Sequence, residues 1–224
     1  MNEKLSRKTF LKASAIGTIG VATMGLAACA SSDAAETSTS ETDILQLQDR
    51  LWVLEAKEEI RYKLCLYCRG DDRQDAEEGK KMFAEDSYVD FGTNPDTGPV
   101  FKGTGWDWVD KCVNVTDKGI TAAGGFYAHF MGNIAITVNG KKAGSETYVT
   151  APVMFPNGDG TYTLIQGVAR YCDKWEYRNG EWLVIERHVT NDYGYYLQSS
   201  ALLKPYDGSF DKNDPSYAAL AYGK

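Results

Sequence analysis

Apolar residues recur at Ile44, Leu47, Leu51 and Leu54, then at Ile60, Leu64, Tyr67 and Cys68. Spacings of three and four within each group mark an amphipathic helix, predicted over residues 43–69. Thr42 or Asp43 is expected to cap its start, and Gly70 to stop it. The register weakens near Glu55–Glu59, which leaves two helices open in place of one. Residues 75–83 predict a second, short helix, with acidic residues in its first turn and lysines in its last, as the helix dipole favours. Residues 106–115 predict a third.

The period then changes. After a short alternating run at Ser87–Phe91, residues 127–138, 142–155, 162–177 and 182–190 read as strands. Asn139-Gly140, Asn157 to Gly160 and Asn179-Gly180 supply three tight turns between them. Helices followed by a meander define an α+β fold. The expected form is a curved antiparallel sheet wrapped around about three N-terminal helices. Such a cone leaves a pocket between sheet and helices, with apolar walls and a few polar groups to orient a ligand. Residues 191–224, with Asp207, Asp211 and Asp214 off any calcium-loop spacing, are expected to form a solvated tail.

The first 42 residues do not fit this domain. Residues 1–28 carry Lys4, Arg7, Lys8 and Lys12 ahead of a mild Ala/Gly-rich run too short for a comfortable membrane span. They read as an export signal peptide. Ser6–Lys12 resembles a twin-arginine signal with Lys8 in place of the second Arg, so twin-arginine export and ordinary secretion both stay open. Leu26-Ala27-Ala28-Cys29 resembles a bacterial lipobox, which implies lipidation of Cys29. Residues 30–42 are small, polar and acidic, and read as a flexible tether. The expected location is therefore the cell envelope, with contact to the membrane through a lipid anchor. Residues 43–224 are expected to form a single domain.

Removing the leader's four basic residues and Glu3 leaves 20 Lys+Arg against 30 Asp+Glu. A net charge of −10 disfavours nucleic acid and anionic lipid as partners. A hydrophobic small molecule is not disfavoured. The outer face of the sheet would suit a homo-oligomer.

Cys65 and Cys68 are spaced as in redox and zinc motifs, but they fall inside an apolar helical run and no second pair completes a metal set. They read as core-facing free thiols. A bridge from Cys172 to Cys68 or Cys112 stays open in an exported protein. No metal or cofactor is implied. The two histidines, His129 and His188, are the natural proton carriers near neutral pH.

The order of polar residues carries a resemblance. A helix-end Tyr67 precedes Asp72, His129 precedes Asn133 on a strand, Tyr171 precedes Asp173, and Gly180 precedes Trp182 with Arg187 downstream. Over residues 44–217 this resembles the SnoaL-like branch of the nuclear transport factor 2-like cone fold, whose members include bile-acid 7α-dehydratase and scytalone dehydratase. The resemblance implies a cofactor-free lyase or isomerase acting on a hydrophobic, oxygenated molecule of steroid-like or polyketide-like type. It implies Tyr67, Asp72 and His129 as catalytic residues, with Asn133, Tyr171 and His188 expected to touch the ligand. The chain departs from the bile-acid enzyme at Thr150 or Ala151, where that enzyme carries an Asp. A cone that binds a ligand or a second subunit without chemistry is the competing function. The competing structural roles are Tyr67 packing on Phe83, Asp72 capping the next helix, and His129 bonded to a backbone carbonyl. Arg187 and His188 alternate on the last strand, so at most one of them faces inward. Asp173 and Arg170 read either as a structural pair or as pocket residues.

Overall fold

The protein is described by a computed structural model covering residues 40–94, 98–199 and 209–222. The expected signal peptide, Cys29, Asp207 and most of the expected tether lie outside the described residues.

Helix α1 runs unbroken from Glu41 to Asp72. Ser40 caps it, ahead of the expected Thr42 or Asp43. The Ser40 hydroxyl accepts from the Asp43 amide at 3.1 Å, and the Asp43 carboxylate accepts from the Ser40 amide at 3.1 Å. That reciprocal pair satisfies amides which the helix itself leaves without partners. Helix geometry also survives the weak stretch near Glu55–Glu59. Ala56 is buried there, and the Trp52 indole donates to the Gly140 carbonyl at 2.9 Å, tying the helix to the tip of a hairpin.

Gly70 does not stop the helix. A Cβ at Gly70 would lie 2.5 Å from the backbone nitrogen of Gly79. The glycine is therefore a point of close backbone approach between α1 and the short helix α2 (Ala76–Lys80). The helix ends two residues on, at Asp72, with Arg73 as its C-cap, and Asp75 caps α2 by accepting from the Glu78 amide at 3.2 Å.

Strand β1 (Phe83–Asp90) follows directly, so the expected second helix is shorter than its pattern suggests. The turn-rich stretch after it holds only the short pairings β2 (Thr93–Asn94), β3 (Gly98–Pro99) and β4 (Lys102–Gly103). The third predicted helix is longer and mixed: α3 (Gly105–Lys111), a π-helical segment (Cys112–Asp117) and α4 (Lys118–Ala122). The expected strand 127–138 is split into β5 (Phe126–Tyr127) and β6 (Phe130–Asn139), with Ala128 and His129 between them. Then come β7 (Lys142–Thr150), β8 (Val153–Pro156), β9 (Tyr162–Arg178) and β10 (Glu181–Ser199).

The main sheet runs β4-β1-β10-β9-β7-β6, with β8 bonded to β9 and to β5. All of these pairings are antiparallel except β1 with β10, which is parallel. The tight turns fall where expected, with Asn179 and Gly180 both at positive φ between β9 and β10. The inward face of α1 packs Ile60, Leu64 and Tyr67 against Trp175 and Trp182 of the sheet, and Val109 and Val113 close the cluster from the third helical segment. The tail is not all solvated loop. It ends in α5 (Pro215–Tyr222), and Asp214 just before it is buried, ion-paired to Arg73 at 3.2 Å and bonded to the Ser216 amide at 3.0 Å. Among the described residues no helix is long and apolar enough to cross a membrane.

Candidate active site

The site grows from the last turns of α1. Ile60, Leu64, Tyr67 and Asp71 follow the four- and three-residue spacing of one helix face, so Asp71 enters the core directly above Tyr67. Asp72 is rotated one residue further and reaches His129. The His129 ring Nδ1 lies 2.8 Å from Asp72 Oδ1, and the His129 backbone amide donates to both carboxylate oxygens, at 3.0 and 3.2 Å. The carboxylate thus grips both the ring and the backbone of one residue. With Nδ1–H donated to Asp72, Nε2 carries the lone pair that can take a proton. Both side chains retain slight solvent access.

Asp117 arrives from the other side, at the end of the π segment. It is buried, and its Oδ1 lies 3.9 Å from the Cys112 sulfur. The i→i+5 winding of that segment keeps residues five apart on nearby faces, which ordinary α winding does not. Oxygens of Asp71 and Asp117 and the sulfur of Cys112 all lie within 4.8 Å of one another. Neither oxygen of Asp71 meets a donor in good hydrogen-bond geometry, although the Tyr67 hydroxyl is near enough to favour its charged form. Tyr127 donates its hydroxyl to the Asp71 backbone carbonyl at 3.0 Å.

Burial dominates the electrostatics. It pushes the Asp71 carboxyl up to about 6, and the nearby Asp72 charge adds to this while His129 opposes it. Burial and the Asp71 charge push Asp117 to about 7. For His129, burial opposes the imidazolium, but the Asp72 hydrogen bond and the charges of Asp71, Asp72 and Asp117 outweigh it and hold its pKa above the ordinary value. Burial, then Asp71, drives the Tyr67 phenol well above its usual range, so it stays protonated as a donor. At neutral pH the site therefore couples a basic His–Asp pair to carboxyl groups that hold protons readily.

Among the described residues Tyr67 makes no hydrogen bond to the imidazole. Its hydroxyl accepts from the Trp108 indole at 2.9 Å, and its ring meets Phe83 edge-on with centroids 5.6 Å apart. The packing role is thus present alongside any chemical one. Tyr171 is buried beside it, with ring centroids 5.9 Å apart. Arg187 lies under both rings, 4.0 Å from the centre of Tyr171 and 4.7 Å from that of Tyr67, and is paired with Asp173 at 2.7 and 2.8 Å.

Other expected positions lie elsewhere. His129 sits in the two-residue link between β5 and β6, not within a strand. Asp72 does not cap α2, since Asp75 does. Asn133 occupies a bulge in β6 at φ 50° and is exposed, because the extra residue is turned out of the ladder. His188 faces outward with its side chain 58% exposed, 3.9 Å from Asp90; the inward partner in that alternation is Arg187. Arg170 does not pair with Asp173. It faces the other side and holds Glu146 and Asp192. Cys65 is exposed and Cys68 buried, so only Cys68 faces the core. All four described cysteines are free, and neither proposed bridge forms.

Asp71, Asp117 and Trp108 were not singled out from the sequence. For Asp71 the signal was available: it lies four residues beyond Tyr67 on a helical face that Gly70 does not end. For Asp117 there was none, because the π winding that aims it inward has no mark in the residue pattern.

Fold and site together define a cone of the nuclear transport factor 2 type with a buried acid–base cluster between its first helix and its sheet. The chain belongs to the SnoaL-like domain family, whose pattern matches residues 52–188. Its fold is shared with an NTF2-like protein of cystatin-like fold from Novosphingobium aromaticivorans, which is 22% identical, covers 69% of this chain and 92% of its own, and superposes with a TM-score of 0.52. It is also shared with a LinA-type3 hexachlorocyclohexane dehydrochlorinase from Novosphingobium barchaimii, at 16% identity, 73% and 99% coverage and a TM-score of 0.53. At such identities the likeness is one of fold. No curated protein matches the sequence.

Proposed function

We propose that the protein is a lyase or isomerase of dehydratase type that moves protons on a hydrophobic, oxygenated small molecule without a cofactor. The observation that carries this reading is the His129–Asp72 pair, clamped at 2.8 Å and set beside two carboxyls whose pKa values lie near 6 and 7. Removing water or shifting a double bond next to a carbonyl needs a base for an acidic C–H and an acid for the oxygen that departs or develops charge. His129 Nε2 takes the carbon-bound proton, and Asp72 stabilises the imidazolium that results, as a carboxylate does behind a catalytic histidine. The acid is drawn from Tyr67, which stays protonated, or from Asp117, whose carboxyl is raised to about 7; Asp71, at about 6, holds its proton only on the acid side of neutrality. A dehydrochlorinase on the same fold, as that name says, also breaks a carbon–heteroatom bond, which supports an elimination chemistry here.

The competing reading is a binding module. It is favoured by the filling of the cone by Arg187, Tyr67 and Tyr171, which leaves their chemistry buried. Deuterium exchange separates the two. Hydroxylated ketosteroids and aromatic β-hydroxyketones are incubated with the protein in D2O, and loss of the α-proton signal and appearance of enone are followed by NMR. Exchange or elimination that disappears in His129→Ala supports the enzyme. Saturable binding with neither exchange nor product, across the panel, supports the module, and turnover that survives both His129→Ala and Tyr67→Phe rules out this site.

Export and lipid attachment through Cys29 belong to the same proposal. They rest on the basic leader, the Leu26–Cys29 motif and the polar tether ahead of Ser40. Partition of the chain into detergent when produced with its own leader, and its loss on Cys29→Ala, is the test.

A further inference from the structure

The first three turns of α1 stand clear of the cone. Residues 41–51 are exposed all round, and contact with the body begins at Trp52. A segment of that length has little helical stability of its own in water. Yet it carries Ile44, Leu47, Leu51 and Leu54, exposed by 47, 55, 55 and 64%. Their spacing is three, four and three, the alternation of a two-heptad coiled-coil seam with Ile44 and Leu51 at a, and Leu47 and Leu54 at d.

The seam points away from the protein. At 3.6 residues per turn, these four residues lie on the side of the helix opposite Trp52, Ala56 and Ile60, which face the body. The cone that α1 belongs to cannot cover them. The stripe ends cleanly, because the next a and d positions are Glu58 and Arg61, ion-paired within the helix at 3.6 Å.

The flanks decide the occupant. In this register Arg50 falls at g and Glu55 at the following e, and both are exposed. Two parallel copies place Arg50 of each against Glu55 of the other, twice by symmetry. The other flanking combinations, Asp43 with Gln48 and Lys57 with Tyr62, are not repulsive. An antiparallel pairing over the same seam would set Arg50 against its own copy. A membrane surface fits less well: Glu41, Asp43, Asp49, Glu55 and Glu58 outnumber Arg50, Lys57 and Arg61 along this stretch, whereas interfacial helices carry basic polar faces.

We infer that the Ile44–Leu54 stripe is a self-recognition surface through which two copies of the chain pair as a short parallel coiled coil. This contact is separate from the outer face of the sheet and independent of the proposed chemistry. Both copies then emerge from the pair with their N-termini on the same side. A seam of only two heptads gives a weak, concentration-dependent dimer.

Sedimentation velocity of the full chain carrying Cys29→Ser tests this from the low micromolar range to several hundred micromolar. The expected result is a reversible monomer–dimer equilibrium. Leu47→Asp with Leu51→Asp should abolish it while leaving the near-ultraviolet circular dichroism of the cone unchanged. Leu47→Gln with Leu51→Gln serves if the charged pair fails to fold. Arg50→Glu should weaken the dimer by at least tenfold, and Arg50→Glu combined with Glu55→Arg should restore it. A chain that stays monomeric throughout overturns the inference, as does a dimer that survives both leucine pairs. A charge reversal that the swap does not rescue overturns the parallel pairing. Binding to neutral or anionic phospholipid vesicles that is lost in the leucine variants, with no dimer in solution, assigns the stripe to lipid instead.

Discussion

Asp72 holds His129 at both ends, through the ring nitrogen at 2.8 Å and through the backbone amide at 3.0 and 3.2 Å. One carboxylate therefore fixes both the tautomer and the position of an imidazole that sits outside the regular strand ladder. Asp72→Asn keeps the shape and removes the charge. The imidazolium then loses its nearest stabilising partner, so the His129 pKa should fall, read directly from the ring-proton NMR titration. Proton-transfer activity on a responsive ketone should drop on the order of 10²-fold or more, the scale of general acid–base assistance.

Stability should decline as the pH is raised through the slightly acidic range. Asp71 and Asp117 have folded pKa values of about 6 and about 7, both above the ordinary carboxyl value. Between pH 4 and 7 the folded protein thus binds more protons than the unfolded chain, and the slope of unfolding free energy with pH is negative. His129 acts in the same direction. Its raised pKa contributes stability that is complete below the unfolded value near 6.5 and is lost as the pH rises through the folded one. Thermal melts from pH 4 to 8 should show this fall. Asp71→Asn should flatten the profile and stabilise the protein at pH 8 by about 3 kcal/mol, the equivalent of Asp71's shift.

The Arg187–Asp173 pair is fully buried, with Arg187 also lying against three aromatic rings. Removing one member leaves a bare charge in the core. Asp173→Ala should destabilise the protein by about 3–5 kcal/mol in chemical denaturation. Replacing both by apolar residues, Arg187→Met with Asp173→Leu, should cost much less than the single change.

Gly70 gives a sharp packing test. A methyl group there would sit 2.5 Å from Gly79 N and 2.8 Å from its Cα, both backbone atoms that cannot swing aside. Gly70→Ala should therefore destabilise by about 1–3 kcal/mol despite its better helix propensity. A melting temperature at or above that of the parent would show that α1 and α2 do not press together here.

Much of this was legible in the sequence because it follows from period and turn chemistry. Leu64 and Tyr67 announce the inward helix face, and Asn139-Gly140 and Asn179-Gly180 announce the hairpins. The Asp72–His129 pairing was legible only through family resemblance, since the two lie 57 residues apart. What stayed hidden depends on context that no local pattern records. Gly70 reads as a stop signal, and only the proximity of Gly79 shows it to be a contact. His188 and Arg187 alternate, and the sequence does not say which faces inward. The buried Asp214 looks like one more carboxylate in a polar tail until Arg73 and Ser216 are found around it.

The π segment between Lys111 and Lys118 has a consequence for how this cone could change. A wider turn phases everything after it differently from a plain α-helix. Rewinding Cys112–Asp117 as plain α-helix, with no residue deleted, would turn Asp117 by roughly a quarter turn off the face it shares with Asp71. The cluster would lose an acid without any substitution in it, while Val109, ahead of the segment, kept its packing. Deleting one residue as the segment rewinds would keep Asp117 in place, since five α steps turn the chain about as far as six π steps. The acidity of the interior is thus written partly in helix pitch.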